Sequence, residues 1–269
     1  MGSVDNTKPA IMPTSLQKRG RDRVLILVKA LPHVGQRHGE TVCCAGVTAD
    51  GEWRRQYPIH FRRLKDQFKR WQWIEYDWIA PGPDDCRKES RRVQEDTIQV
   101  GDMMAPAKRA SFLEPILTGS TAEAAAKGMS LTVIRPAGVR FRWKAKTLEQ
   151  IAEERQAYED AARQKSLLDP DLDLIALEPC PYAFHFDWTD ADGKTHKATC
   201  DDWETAATFY RRQQTMSISE ALTSLEKTFG EDYPDKGMAF AMGTHSRRPD
   251  QWLLVGVLRL DQPKQLSLL

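Results

Sequence analysis

At 269 residues the chain has room for two modest domains or one elaborated domain, and it can bury a core without disulfide or metal staples. With 41% hydrophobic and 29% charged residues it lies outside the composition of disordered chains. A formal net charge of +1 excludes a molecule that is basic throughout, so any contact with an anionic polymer has to rest on local patches.

Residues 1–22 are polar, contain Pro9 and Pro13, and read as a disordered leader with neither a signal peptide nor a membrane span. The cytoplasm is the expected location, with no membrane contact. Arg23 to Lys29 (RVLILVK) is a short apolar run of the kind that forms a buried strand. Thr41 to Thr48 and Glu52 to Ile59 read as two strands joined at Asp50-Gly51, a D-G hairpin signal. His60 to Arg70 places Phe61, Leu64 and Phe68 at helical spacing, which predicts a short helix with a basic outer face. Trp71 to Ala80 and Arg91 to Gly101 read as strands. Two short helices follow, the second opened by Ser120 with Glu123 three residues on, and an extended stretch then runs from Leu131 to Trp143 around Pro136.

A polar helix from Thr147 to about Leu168 divides the chain. Beyond it come strands at Leu174 to Leu177 and Tyr182 to Thr189, a second D-G turn near Gly193, and a strand at Thr195 to Cys200. Helices at Trp203 to Arg212 and Ser219 to Phe229 precede strands at Met238 to Met242 and Trp252 to Leu260, with Gly243 to Gln251 as a long hairpin loop. Strands and helices do not alternate as βαβ units, so the expected class is α+β: a strand-rich, basic domain over 23–146 and a second α+β domain over 147–269.

Three constellations stand out. Between Trp53 and Trp78, the aromatic residues Trp53, Tyr57, Trp71, Trp73, Tyr76 and Trp78 interleave with Arg54, Arg55, Arg62, Arg63, Lys65, Lys69 and Arg70. Cations neutralise phosphates and aromatic faces stack on unpaired bases, so Trp53, Arg54, Arg55, Tyr57, Arg62, Arg63 and Arg70 are candidate nucleic-acid contacts. The competing reading is a core-facing aromatic set beneath a solvated basic face, since alternate strand residues point inward. His196, Asp202 and Glu204, with His185 on the same hairpin, could form an acid/base or metal-binding cluster, whereas Asp201 or Asp202 could equally be a helix cap. The Gly243 to Gln251 loop offers Thr244, His245, Arg247 and Arg248 to a phosphate or carboxylate, or is a solvated tip. Five cysteines, an odd number with no C-x-x-C spacing, argue against a disulfide framework or a zinc ribbon, and the adjacent Cys43 and Cys44 read as buried strand residues. The absence of a P-loop, a G-x-G-x-x-G turn, a nucleophile elbow and an H-E-x-x-H helix leaves no cofactor or resident metal expected.

Taken together, RVLILVKALPHVGQRHGETVCCAGVTADGEWRRQYPIHFRRL, SLTVIRP, HKATCDDWE and GTHSRRPDQWLLVGV resemble an uncharacterised prokaryotic family, and the N-terminal part is similar to dual-OB-type domains. The resemblance implies an OB-like or small-barrel N-terminal half and a place in a defence or DNA-processing assembly, where OB folds bind oligonucleotides on a strand face. The expected activity is therefore binding of DNA or RNA, with single strands included and a protein partner in the assembly. The alternative is a metal-dependent nuclease or base-processing hydrolase built on His196, Asp202, Glu204 and His245.

Overall fold

The computed structural model describes residues 19–262, except 32, 36–38, 61–67, 84, 86, 169–177 and 246–247. The first half is built from β1 (Arg19–Lys29), β2 (His33–Gly35), β3 (Gly39–Val47), β4 (Trp53–His60), β5 (Gln72–Ile79), β6 (Ser90–Val93) and β7 (Gln99–Met103). Five of these close a barrel: β1 pairs with β3, β3 with β4, β4 in parallel with β6, β6 with β5, and β5 returns to β1. One long strand closes the ring because β1 serves two neighbours. Its Arg19 to Leu25 portion pairs with β5, and its Leu25 to Lys29 portion pairs with β3 across an irregularity between Ile26 and Val28. β1 thus begins at Arg19, four residues inside the stretch read as leader, because Arg19 to Asp22 find partners on β5.

The apolar run of β1 is continuous because both of its faces are buried. Val24 and Ile26 point into the barrel with Ile59, Ile74 and Tyr76, while Leu25 and Leu27 point out against Leu131, Val133, Ala239 and Ala241. The outward set meets a four-stranded sheet of β8 (Leu117–Thr118), β9 (Leu131–Ile134), β13 (Met238–His245) and β14 (Arg248–Arg259). Gly256 sits at this close approach: a Cβ there would lie 3.1 Å from Ala241 Cβ and 3.4 Å from Val28 Cγ2. Along the chain, α1 (Pro106–Leu113) connects barrel and sheet, and α2 (Thr121–Ala126), capped by Ser120 as its sequence predicts, joins β8 to β9.

The other face of that sheet packs on a third layer. Here β10 (Ala137–Ala145), β11 (Tyr182–Thr189) and β12 (Thr195–Thr199) form an antiparallel sheet, with the polar helix α3 (Leu148–Leu168) between β10 and β11. Phe141, Phe184 and Phe186 face inward onto Phe209, Phe229 and Phe240, and helices α4 (Trp203–Gln213) and α5 (Ile218–Lys227) cover them. A π-helical turn, Thr228–Asp232, carries Phe229. The class is α+β with a closed five-stranded barrel in the N-terminal half, and both D-G turns form, with Gly51 at φ 83° and Gly193 at φ 77°.

Three predicted elements change. The stretch around Pro136 is two strands in two different sheets, β9 and β10. The strand expected from Arg91 to Gly101 is broken by a 3₁₀ turn, Glu95–Thr97, where Thr97 Oγ1 accepts from Asp77 N at 2.8 Å and donates to Gln94 O at 2.7 Å. The long loop at Gly243 to Gln251 is mostly ladder, since Thr244 pairs with Trp252 and His245 with Arg248. The expected helix at His60 to Arg70 and the strand at Leu174 to Leu177 fall largely or wholly outside the described residues.

Candidate functional site

Among the described residues of the basic-aromatic block, Arg54, Arg55, Arg70 and most of the rings are engaged inside the protein. Trp53, Trp71, Tyr76 and Trp78 are buried, and Tyr57 is 38% exposed. Arg54 Nε donates to Asp22 Oδ2 at 3.0 Å and its Nη2 to Glu52 Oε2 at 2.7 Å. Arg91 Nε shares that Asp22 oxygen at 3.1 Å and lies over the Trp78 ring at 4.3 Å. Arg55 is buried, with Nη2 donating to Ser130 O at 3.2 Å and lying 3.9 Å from the Glu89 carboxylate. A phosphate approaching this hairpin would compete with carboxylates already in place. Arg62, Arg63 and Arg247 lie outside the described residues. Thr244 is buried, its amide donating to Ser130 O at 2.9 Å, and Arg248 is exposed at the start of β14.

Among the described residues, a positive surface with one ion pair, Arg142 with Asp187, lies on the sheet of β10, β11 and β12. Register and pleat decide its two faces: Phe141 pairs with Phe186 and Trp188 with His196 on the inner side, and Arg142 pairs with His185 and Asp187 with Lys197 on the outer. The outer face therefore presents Arg140, Arg142, Lys144 and Lys197, all exposed, beside exposed Thr195 and Thr199. Asp187 is the sole carboxylate the three strands contribute there; it is buried and pairs with Arg142. His185 sits among these cations with Nδ1 3.3 Å from Thr199 Oγ1. Its burial, then the charge of Lys144, lowers its pKa below the ordinary 6.5, so the ring is neutral at neutral pH. The signal in the sequence is Arg-Phe-Arg-Trp-Lys at 140–144, a strict basic/aromatic alternation that sends rings in and cations out.

Of His196, Asp202, Glu204 and His245, only Asp202 and Glu204 come together; neither histidine lines their cleft. His196 stacks on Trp188 and its Nε2 lies 2.6 Å from Asp190 Oδ2, which also accepts from backbone amides through Oδ1. Burial disfavours the Asp190 carboxylate, but the His196 and amide hydrogen bonds outweigh it and hold the pKa below 3.8. His245 ends β13 opposite Arg248. Asp202 caps α4, accepting from Glu204 N at 3.3 Å, Thr205 Oγ1 at 3.3 Å and Val257 N at 3.2 Å, and it pairs with Arg70. Burial pushes the Asp202 carboxyl up and Arg70 acts against the rise. Burial also works against the Arg70 cation, but Asp202 and Glu204 outweigh it and its pKa is raised. Among the described residues no three His, Cys, Asp or Glu side chains group to hold a metal ion.

Asp202, Glu204 and Arg70 instead line a half-open cleft of about 210 Å³ between barrel and helices. Arg109, Arg211 and Arg259 complete a ring of four guanidinium groups there, with Tyr233.

Two family models cover the chain. Residues 20–115 match a domain of unknown function, DUF8758, and residues 114–269 match a second, DUF8757. The chain belongs to the DUF8757 family. The DUF8758 match holds the barrel, and the DUF8757 match holds the basic sheet face and α4, so the cleft takes Arg70 and Arg109 from the first and the rest of its ring from the second. A search of curated proteins finds no match. No described helix is long and apolar enough to cross a membrane.

Proposed function

We propose that this protein binds nucleic acid by laying the phosphate backbone of a strand across the outer face of β10, β11 and β12. The observation that carries the reading is four exposed cations on one open sheet face, opposed by a single buried carboxylate. Arg140, Arg142 and Lys144 recur every second residue, roughly 6.7 Å apart along a strand, and Lys197 stands two strands away, roughly 9.6 Å across the sheet. Such a grid meets successive phosphates, and the Thr195 and Thr199 hydroxyls add donors to phosphate oxygens. The three strands offer no outward-facing Phe, Tyr or Trp ring, so the contact is electrostatic and tolerant of sequence, with affinity set by counterion release. The setting we propose is the prokaryotic defence or DNA-processing assembly that the sequence resemblance implies, in the cytoplasm and beside a protein partner.

The test is a filter-binding comparison of wild type with an Arg140→Glu/Lys144→Glu variant on a fluorescent single-stranded oligonucleotide and on its duplex. Loss of binding with unchanged folding supports the reading. Equal affinity of the two proteins rejects it.

A further inference from the structure

The cleft between barrel and helices lies away from the basic sheet face. Helix α4 turns Thr205, Ala206 and Phe209 into the core under that sheet, and turns Glu204, Thr208 and Arg211, spaced four and three residues apart, toward the cleft. Its four arginines are held unequally. Arg70 is fixed by Asp202 and by Val257 O, to which Nη1 donates at 2.6 Å. Arg109 and Arg259 share one carboxylate, Asp261, with Arg259 Nε 2.6 Å from Oδ1. Their planes are held by rings: Arg109 lies 4.9 Å over Trp71 and Arg259 5.7 Å over Tyr233. Arg211 is exposed and bonds only within its own helix, to Ala207 O and Thr208 Oγ1, both at 3.3 Å.

Counting acceptors leaves donors over. Among the described residues none accepts from Arg109 Nη2, from either Arg259 Nη or from Arg211 Nη1. Four guanidinium groups meet three carboxylates, Asp202, Glu204 and Asp261. Burial, with the neighbouring Arg259 charge, lowers the Arg109 pKa despite Asp261, as expected where cations are crowded beyond their partners.

We propose that this cleft binds a phosphate monoester. A tetrahedral dianion offers acceptors in several directions and can take donors from different walls at once, whereas a flat carboxylate satisfies one guanidinium fork. The volume of about 210 Å³, near seven times the liquid share of a water molecule, suits a phosphate with the first atoms of its ester group. Because Arg70 and Arg109 come from the barrel side and Arg211 and Arg259 from the other, the bound phosphate clamps the two halves together. The site stands independently of the sheet face, and its ester is either a free nucleotide or the 5′ end of a strand.

The experiment is calorimetric titration of the full chain with inorganic phosphate and with adenosine monophosphate, alongside binding of one oligonucleotide with and without a 5′ phosphate. Wild type and Arg211→Ala are compared, Arg211 being exposed and free of contacts to other elements. Saturable phosphate binding that weakens roughly tenfold or more in Arg211→Ala, as loss of a charge-assisted hydrogen bond implies, is the expected result. Arg140→Glu/Lys144→Glu should leave phosphate affinity unchanged, so failure of the sheet-face reading and failure of this one are separable. Preference for the 5′-phosphorylated oligonucleotide, abolished by Arg211→Ala, identifies a strand end; saturable nucleotide binding with no such preference identifies the free nucleotide. No phosphate binding at tens of millimolar, or an affinity in Arg211→Ala and Arg211→Glu equal to that of wild type, overturns the proposal.

Discussion

Asp202→Ala is expected to be the most damaging single substitution at the junction of barrel and helices. The carboxylate is 1% exposed and its partner Arg70 has a side-chain exposure of 10%, so solvent screens the pair little. Removing it leaves a buried guanidinium without its counter-charge, about 3–5 kcal/mol by analogy with other broken buried pairs. It also removes the cap of α4, about 1 kcal/mol more, and strands the Val257 amide and Thr205 hydroxyl. A loss of about 4–6 kcal/mol is a large part of the roughly 5–15 kcal/mol that holds a domain folded. Urea unfolding followed by tryptophan fluorescence and far-ultraviolet circular dichroism reads the loss. Arg70→Met/Asp202→Ala should recover much of it, because no orphaned charge remains. A midpoint for Asp202→Ala that implies less than about 1 kcal/mol, or a double mutant no better than the single, would refute the reasoning.

Other consequences are smaller. Arg54→Ala should lower stability modestly and leave oligonucleotide affinity unchanged in an anisotropy titration, since its donors already serve Asp22 and Glu52; weakened binding would return the hairpin to the interface. Asp190 has a folded pKa below 3.8, so it contributes stability that is full above that value and is lost as pH falls through the folded pKa; the urea midpoints of wild type and Asp190→Asn should converge on acidification and stay apart above pH 4. His185 should titrate below 6.5 by NMR, and Lys144→Ala should bring its midpoint closer to 6.5. Protonation adds a cation to the face, so oligonucleotide affinity should rise as pH falls through that midpoint, and a His185→Ala variant should lose this dependence.

Local signals in the sequence carried over well into structure. The Asp50-Gly51 and Asp192-Gly193 turns place a glycine where φ is positive, and Ser120 and Asp202 cap helices because their side chains reach the free amides of a first turn. What local pattern does not carry is pairing at long range. Barrel closure depends on β1 meeting β5 some fifty residues away, and nothing in either strand alone announces the other. The basic-aromatic block reads as a contact surface because its arginines are dense in sequence; in space Asp22 and Glu89, distant along the chain, pair with Arg54 and Arg55. The Arg140 to Lys144 alternation was legible as a period of two. The four cations of the sheet face, spread over two strands, make no run in the sequence. Gly243 to Gln251 reads as a loop because Gly243, Ser246 and Pro249 punctuate a polar stretch, yet ladder bonds between β13 and β14 override that propensity.

The most direct test of the central claim is the salt dependence of single-strand binding, measured by fluorescence anisotropy from 50 to 200 mM potassium chloride. Contact by Arg140, Arg142, Lys144 and Lys197 with about four phosphates predicts a log–log slope near −2.8, or roughly fifty-fold weaker binding across that range. Lys197→Ala should flatten the slope by about 0.7. A slope near zero, or one that Lys197→Ala and Lys144→Ala leave unchanged, would contradict the assignment of this sheet face to nucleic acid.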